Sequence, residues 1–156
     1  MNAKKISLIA IFLWVATISF LGYRFIKGNV KSAESMEDTR LAITLTPGEK
    51  SLVLGEMRTM LRSVQGIIDG LDQNNMELVS ESALESGTEH MVDMDPRVMM
   101  KLPLSFKKLG VGSHKYYDEI AAVAQSDGSQ KKIISMLNSQ LQTCIACHET
   151  FQFINE

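Results

Sequence analysis

Apolar residues fall along this chain in two different ways. From Ile6 to Tyr23 they run almost without a break: eighteen residues carry no charge, and Ser7, Thr17 and Ser19 are the hydroxyls among them. A run of that length is at the short end of what spans about 30 Å of hydrocarbon. Beyond Thr46 the pattern becomes periodic. Val53, Met57, Met60, Leu61, Val64, Ile67, Ile68 and Leu71 recur at gaps of three and four, which makes one dry face and predicts a helix over about 47–73. Its start is written in Thr46-Pro47-Gly48-Glu49: a capping hydroxyl, a proline at the first helical position and a glutamate to close the capping box.

Further elements follow. A more polar helix is expected over about 74–86, stopping at Gly87. His90–Asp95 reads as irregular, and Asp95-Pro96 caps a short helix. Pro103 opens a third long helix, about 103–126, with Leu104, Phe106, Leu109, Tyr116, Ile120 and Val123 available for burial. Gly110 and Gly112 inside it cost roughly 1 kcal/mol each relative to alanine, so close approach of a neighbour or a cofactor is expected there. Asp127-Gly128-Ser129 is a turn. The last helix begins near Ser129 and its seam is Ile133, Leu137, Leu141, Cys144, His148 and Phe151, at gaps of 4, 4, 3, 4 and 3. Four helices with short connections, each with one apolar stripe, predict an all-α protein, an antiparallel four-helix bundle. Residues 27–45 show neither helical nor strand period and read as a linker. The domain organisation is therefore 1–26 membrane anchor, 27–45 linker and 46–156 helical domain.

Charge and flanks refine the first segment. Lys4 and Lys5 precede the apolar run, which holds the amino terminus in the cytoplasm and sends the rest across. Phe20-Leu21-Gly22-Tyr23-Arg24 is a poor cleavage site, and the site at Ala33 has Lys31 where a small residue is needed. These flanks favour an uncleaved transmembrane helix in a bacterial inner membrane, single-pass, with the helical domain facing the periplasm; a cleaved signal is the alternative. From residue 32 on, eleven basic residues stand against eighteen acidic ones. So acidic a domain has no electrostatic footprint for nucleic acid. Ten methionines against six phenylalanines, three tyrosines and one tryptophan suit helices rather than a β-sandwich.

Both cysteines of the chain lie in Cys144-Ile145-Ala146-Cys147-His148, the C-x-x-C-H pattern of c-type haem attachment. On a helix, residues three apart are neighbours, so two thiols can form thioethers to two vinyl groups while His148 offers an imidazole to the iron. Three other chemistries fit less well. A helical C-x-x-C disulfide is strained, a thioredoxin-like pair lacks its βαβ pattern, and zinc lacks further ligands. No acid–base pair or nucleophile stands beside the motif, so the chain is not expected to be an enzyme.

A C-x-x-C-H close to the carboxyl end, on the last helix of a four-helix bundle, resembles the cytochrome c′ superfamily. The resemblance covers about 47–156, and Phe151 matches the aromatic of the family's C-x-x-C-H-x-x-[FY] ending. Only eight residues follow His148, an order unlike that of ordinary small cytochromes c, whose methionine ligand lies far downstream. Two positions depart from the family: Gln152 stands where a basic residue is common, and Val53 where many members carry arginine before the distal residue. The resemblance implies one covalently bound haem c, held by Cys144 and Cys147 with His148 as iron ligand. It places Met57 at the distal position of the first long helix, and family members often pair as homodimers. A Met57 thioether opposite His148 gives a low-spin haem of raised potential. Met60, one turn away, and His114 are competing ligands, and core filling is the other role open to the methionines. The expected function is a membrane-anchored monohaem cytochrome carrying one electron to a redox partner protein. The alternative is a five-coordinate protein that binds or senses nitric oxide or carbon monoxide. His90, Met91 and Met94, with Met99 and Met100 nearby, form a looser cluster whose soft ligands suit Cu(I), though methionine-rich packing under a loop explains it more simply.

Overall fold

The computed structural model describes residues 3–27, 38–91, 95–126 and 128–155, with the side chains of 3–5, 21–27, 90 and 91 outside the described set. It divides into two compact units, Met1–Thr39 and Arg40–Glu156. In the first, α1 (Ala3–Lys27) is one continuous helix. Its described side chains are those of 6–20, exposed all round. Among the described residues no helix is long and apolar enough to cross a membrane. The expectation of a single-pass inner-membrane anchor, with the rest of the chain facing the periplasm, is corrected by that finding.

The second unit is mostly helical, as the periodicity predicts. Its elements are β1 (Leu41–Leu45), α2 (Pro47–Asp72), α3 (Met76–Leu84), a 3-10 turn (Thr88–Met91), α4 (Pro96–Lys101), α5 (Leu104–Ser126), α6 (Gln130–Thr150) and β2 (Phe151–Asn155). The capping box forms as read: Thr46 Oγ1 accepts from the Glu49 amide at 3.3 Å, and the Glu49 carboxylate accepts from the Thr46 amide at 2.8 Å. The second helix is shorter than the predicted 74–86. Asn74 adopts a left-handed φ of 54°, and the Asn75 side chain caps the helix by accepting from the Leu78 amide at 3.0 Å. Gly87 serves close approach rather than helix arrest, since a Cβ there would run into the Asp118 carboxylate. Asp118 in turn accepts from the Thr88 hydroxyl at 2.7 Å and ties the 3-10 turn to α5.

Two strands occupy positions the periodicity assigned elsewhere. Leu41–Leu45 falls at the end of the expected linker, and Phe151 leaves the last helix instead of continuing it. The strands pair in parallel, Leu41 opposite Phe151 and Leu45 opposite Asn155. Ile43, Leu45 and Phe151 are buried, so each strand puts alternate residues into the core, as the period-two geometry requires.

Packing runs in sequence, α2 against α3, α3 against α5 and α5 against α6. The α2–α3 crossing is tight: a Cβ at Gly70 would lie 2.8 Å from the Val79 amide nitrogen. Buried apolar residues gather into two clusters. One joins Val64, Ile67, Val79, Tyr117, Ile120, Ile133 and Leu137; the other joins Ile43, Leu45, Val53, Val98, Leu102, Phe106 and Phe151. Phe106 meets Phe151 edge to face at 5.4 Å, a favoured aromatic geometry. Some residues of the predicted dry faces are exposed, notably Leu61, Ile68 and Leu104. Of the methionine cluster, the side chains of His90 and Met91 and all of Met94 lie outside the described residues, while Met99 is half-buried and Met100 exposed.

Candidate functional site

The site grows from α6. Ser129 caps it, accepting from the Lys132 amide at 3.4 Å, and Ile133, Leu137 and Gln140 are buried along one face. The same face then reaches Leu141, Cys144, Cys147 and His148, of which the cysteines are half-buried and Leu141 and His148 exposed. They line a cavity of about 590 Å3 between α2, α5 and α6. Val53, Met57, Met60, Leu61 and Val64 supply the α2 wall; Phe106, Leu109, Gly110, His114 and Tyr117 supply the α5 wall. The volume is in the usual range for a small-molecule or cofactor site, about 300–1,000 Å3. Cys144, Cys147, His148 and Met57 therefore border one space, with Met60 and His114 beside them. Gly110 contributes room: nothing lies within 4 Å of a Cβ built on it, so among the described residues its lack of a side chain serves the cavity and not a neighbouring helix.

Both cysteines are free thiols, half-buried. Burial pushes the Cys144 thiol above its ordinary pKa, and burial together with the neighbouring Cys144 does the same to Cys147. A depressed pKa is what marks a reactive thiolate, and both shifts run the other way. Tyr117 is fully buried and its phenol is also raised, by burial first and by nearby Cys144 next. It stays a neutral donor, and its hydroxyl donates to the Met60 carbonyl at 3.0 Å.

His114 is 4% exposed. Its Nδ1 lies 2.9 Å from the Ser86 carbonyl, and because a carbonyl only accepts, Nδ1 carries the hydrogen. Ser86 is itself fixed, its hydroxyl 2.8 Å from that of Ser63. His114 is thus an oriented imidazole in the cavity wall, whereas His148 is exposed at the residue level and belongs to the last turn of α6.

That last turn is braced from outside the helix. Arg40 donates from Nη1 to the His148 carbonyl at 3.2 Å, and Gln152 Nε2 donates to the Arg40 carbonyl at 3.2 Å. Lys50 donates to the Phe153 carbonyl at 3.1 Å. The helical pattern gave no sign of Arg40, because its partner is 108 positions away. Tyr117 was missed by one step: Tyr116 was the expected core residue, yet Tyr116 is half-buried and Tyr117 fully so.

Among the described residues no three His, Cys, Asp or Glu side chains gather to hold a bare metal ion. The donor set is two sulfurs three residues apart, one adjacent imidazole, and apolar walls. That suits a flat apolar macrocycle joined through the thiols and bringing its own equatorial ligands, and it does not suit a protein-only metal centre. No protein-family model matches the chain, and neither a curated protein nor a solved structure matches it.

Proposed function

We propose that Arg40–Glu156 is a monohaem c-type cytochrome that passes single electrons, built as an antiparallel four-helix bundle of the cytochrome c′ kind from α2, α3, α5 and α6. The observation that carries this is the common cavity: Cys144, Cys147 and His148 line it from α6, and Met57 from α2. Haem, when bound, supplies the one-electron chemistry. The chain holds it by thioethers at Cys144 and Cys147, presents the His148 imidazole to the iron, and excludes water with Val53, Met60, Val64 and Phe106. A dry, apolar site tunes a haem's potential through its axial ligands and surroundings. The acidic balance of the domain suits a basic redox partner.

Met57 is the proposed distal ligand. A second reading has a specific observation behind it: Met57 also packs against the cluster of Val53, Phe106 and Phe151, which is what core filling does. A methionine used that way leaves a five-coordinate iron able to take nitric oxide or carbon monoxide. The test is the ferric and ferrous absorption spectrum of the wild type beside Met57→Ala, on protein whose mass shows one attached porphyrin. Electron transfer with Met57 ligation requires a low-spin ferrous form that resists carbon monoxide and a variant that turns high-spin. Identical spectra, high-spin and quick to bind carbon monoxide, select the gas-binding protein. A wild type made with haem supplied, yet carrying no porphyrin mass, ends both readings.

A further inference from the structure

The end of α6 is assembled in an unusual way. In a continuing helix the His148 carbonyl would accept from the amide of Gln152, four residues on. Here Phe151 has extended angles, φ −123° and ψ 149°, and its own amide makes the last return bond, to the Cys147 carbonyl. Gln152 lies in β2, opposite Ala42. The helix therefore loses its donor at His148, and the chain replaces it with a side chain from another element: Arg40 Nη1 donates to the His148 carbonyl at 3.2 Å. Gln152 closes the loop by donating from its side chain to the Arg40 carbonyl at 3.2 Å. A guanidinium at this place also faces the negative end of the α6 dipole.

We infer that Arg40 is a positioning residue for His148: it fixes the backbone from which the imidazole reaches iron, and Gln152 together with the β1–β2 pairing fixes Arg40. The inference rests on the haem reading above. The imidazole springs from a residue in the last turn, where helices fray, and its direction follows the φ and ψ of that residue. Without the Arg40 bond the His148 carbonyl turns to water and the last turn loosens. The thioethers, made by side chains one and four residues earlier, have no stake in that bond. Loss of Arg40 is therefore felt at the iron–imidazole bond and not at covalent attachment.

The test compares full-length wild type, Arg40→Ala, Arg40→Lys and Gln152→Ala, each confirmed by mass to carry one porphyrin. The readout is the iron–imidazole stretching band of the ferrous protein, recorded with Met57→Ala added to the wild type and to each variant, because the band requires a five-coordinate ferrous iron. Arg40→Ala is expected to lower and broaden the band, Arg40→Lys to keep it near wild type because an ammonium also donates, and Gln152→Ala to shift it the same way by less. Amide exchange at 147–151 should rise about tenfold in Arg40→Ala, the size of one lost charged hydrogen bond near the surface. A band unchanged in both Arg40→Ala and Gln152→Ala overturns the inference and leaves the haem reading standing. A band equally shifted in Arg40→Ala and Arg40→Lys overturns it too, since donation would not be the cause. Should Arg40→Ala fail to fold, Gln152→Ala still decides. A wild type without porphyrin mass removes the haem reading itself, and amide exchange alone then tests the brace.

Discussion

The two halves of α6 carry one apolar seam into different surroundings. Ile133, Leu137 and Gln140 are buried against α5 and its neighbours, in the cluster centred on Ile67, Tyr117 and Ile120 or beside it. One turn later the same face meets a cavity, and its residues change character: Cys144 and Cys147 are half-buried, and Ile145 is 56% exposed. Helical periodicity therefore states which face of α6 points inward. It does not state whether protein fills the space in front of that face. In the first half it does, and the contacts there support the fold; in the second half the side chains line a cavity.

The largest expected effect separates these roles cleanly. Replacing both cysteines, Cys144→Ala with Cys147→Ala, should abolish covalent porphyrin altogether, seen as loss of the mass increment and of pigment that survives acid–acetone extraction. The same double change should cost the haem-free chain little, about 1 kcal/mol or less for each half-exposed thiol. In the first half of the helix the pattern reverses. Ile133→Ala deletes a fully buried side chain and should cost about 3 kcal/mol in denaturant unfolding, while the variant that still folds keeps its porphyrin. If Ile133→Ala lost porphyrin at unchanged stability, the division of α6 into a packed half and a binding half would be wrong.

A third substitution addresses the cavity directly. Gly110 costs α5 about 1 kcal/mol of helix propensity and has nothing within 4 Å of its missing Cβ. Gly110→Leu should therefore stabilise the haem-free chain, by about 1–2 kcal/mol from propensity and partial burial. The same leucine takes up space on the α5 wall, so porphyrin incorporation should fall. Opposite signs in the two measurements are what a binding cavity requires; a loss in both would mean that Gly110 serves packing instead.

Much of this organisation was legible in the residues, for reasons that differ by region. The capping box at Thr46 and Glu49, and the period of Val53 to Leu71, depend on neighbours within one helix, so α2 was readable almost to its ends. The C-x-x-C-H group was readable because its spacing is local too. The strands were not. Leu41–Leu45 opens on three apolar residues in a row, and in Phe151-Gln152-Phe153 the alternation lasts only three residues; the partner lies 110 positions away in the pairing of Leu41 with Phe151. The helical seam ran on to Phe151 and masked the change of period there. Exposure of Leu61 at 67% was hidden for another reason, since a residue on the rim of a cavity has the same place in the helical period as one in the core. The apolar run Ile6–Tyr23 was read correctly as helical in period-free form, but the membrane role attached to it was a statement about surroundings, and no helix among the described residues is long and apolar enough to carry it.

The smallest effect concerns how the cavity end is tied together, in contrast to the packed end, which depends on apolar contact. Glu49 accepts from Lys101 at 2.8 Å as well as from the Thr46 amide. It joins the start of α2 to α4, and Val98 of α4 lies in the cluster with Val53 and Phe106. The Lys101 ammonium first, and then the Thr46 amide, hold the Glu49 carboxyl below its ordinary value of 4.5. A carboxyl with a folded pKa below its unfolded one binds its proton less readily when folded. Its contribution to stability is thus complete above 4.5 and fades as the pH falls through the lower, folded value. Glu49→Gln keeps an acceptor but never carries the charge. It should melt below wild type at neutral pH, by a small margin because the pair is accessible to solvent, and the two melting temperatures should converge as acid protonates Glu49. The same titration on Ile133→Ala should show a gap that does not close in this window, because no proton is involved. If the Glu49→Gln gap stayed constant from neutral pH down to acid, the ion pair would have no part in joining α2 to α4, and that junction would rest on the apolar contacts of Val98 with Val53 and Phe106.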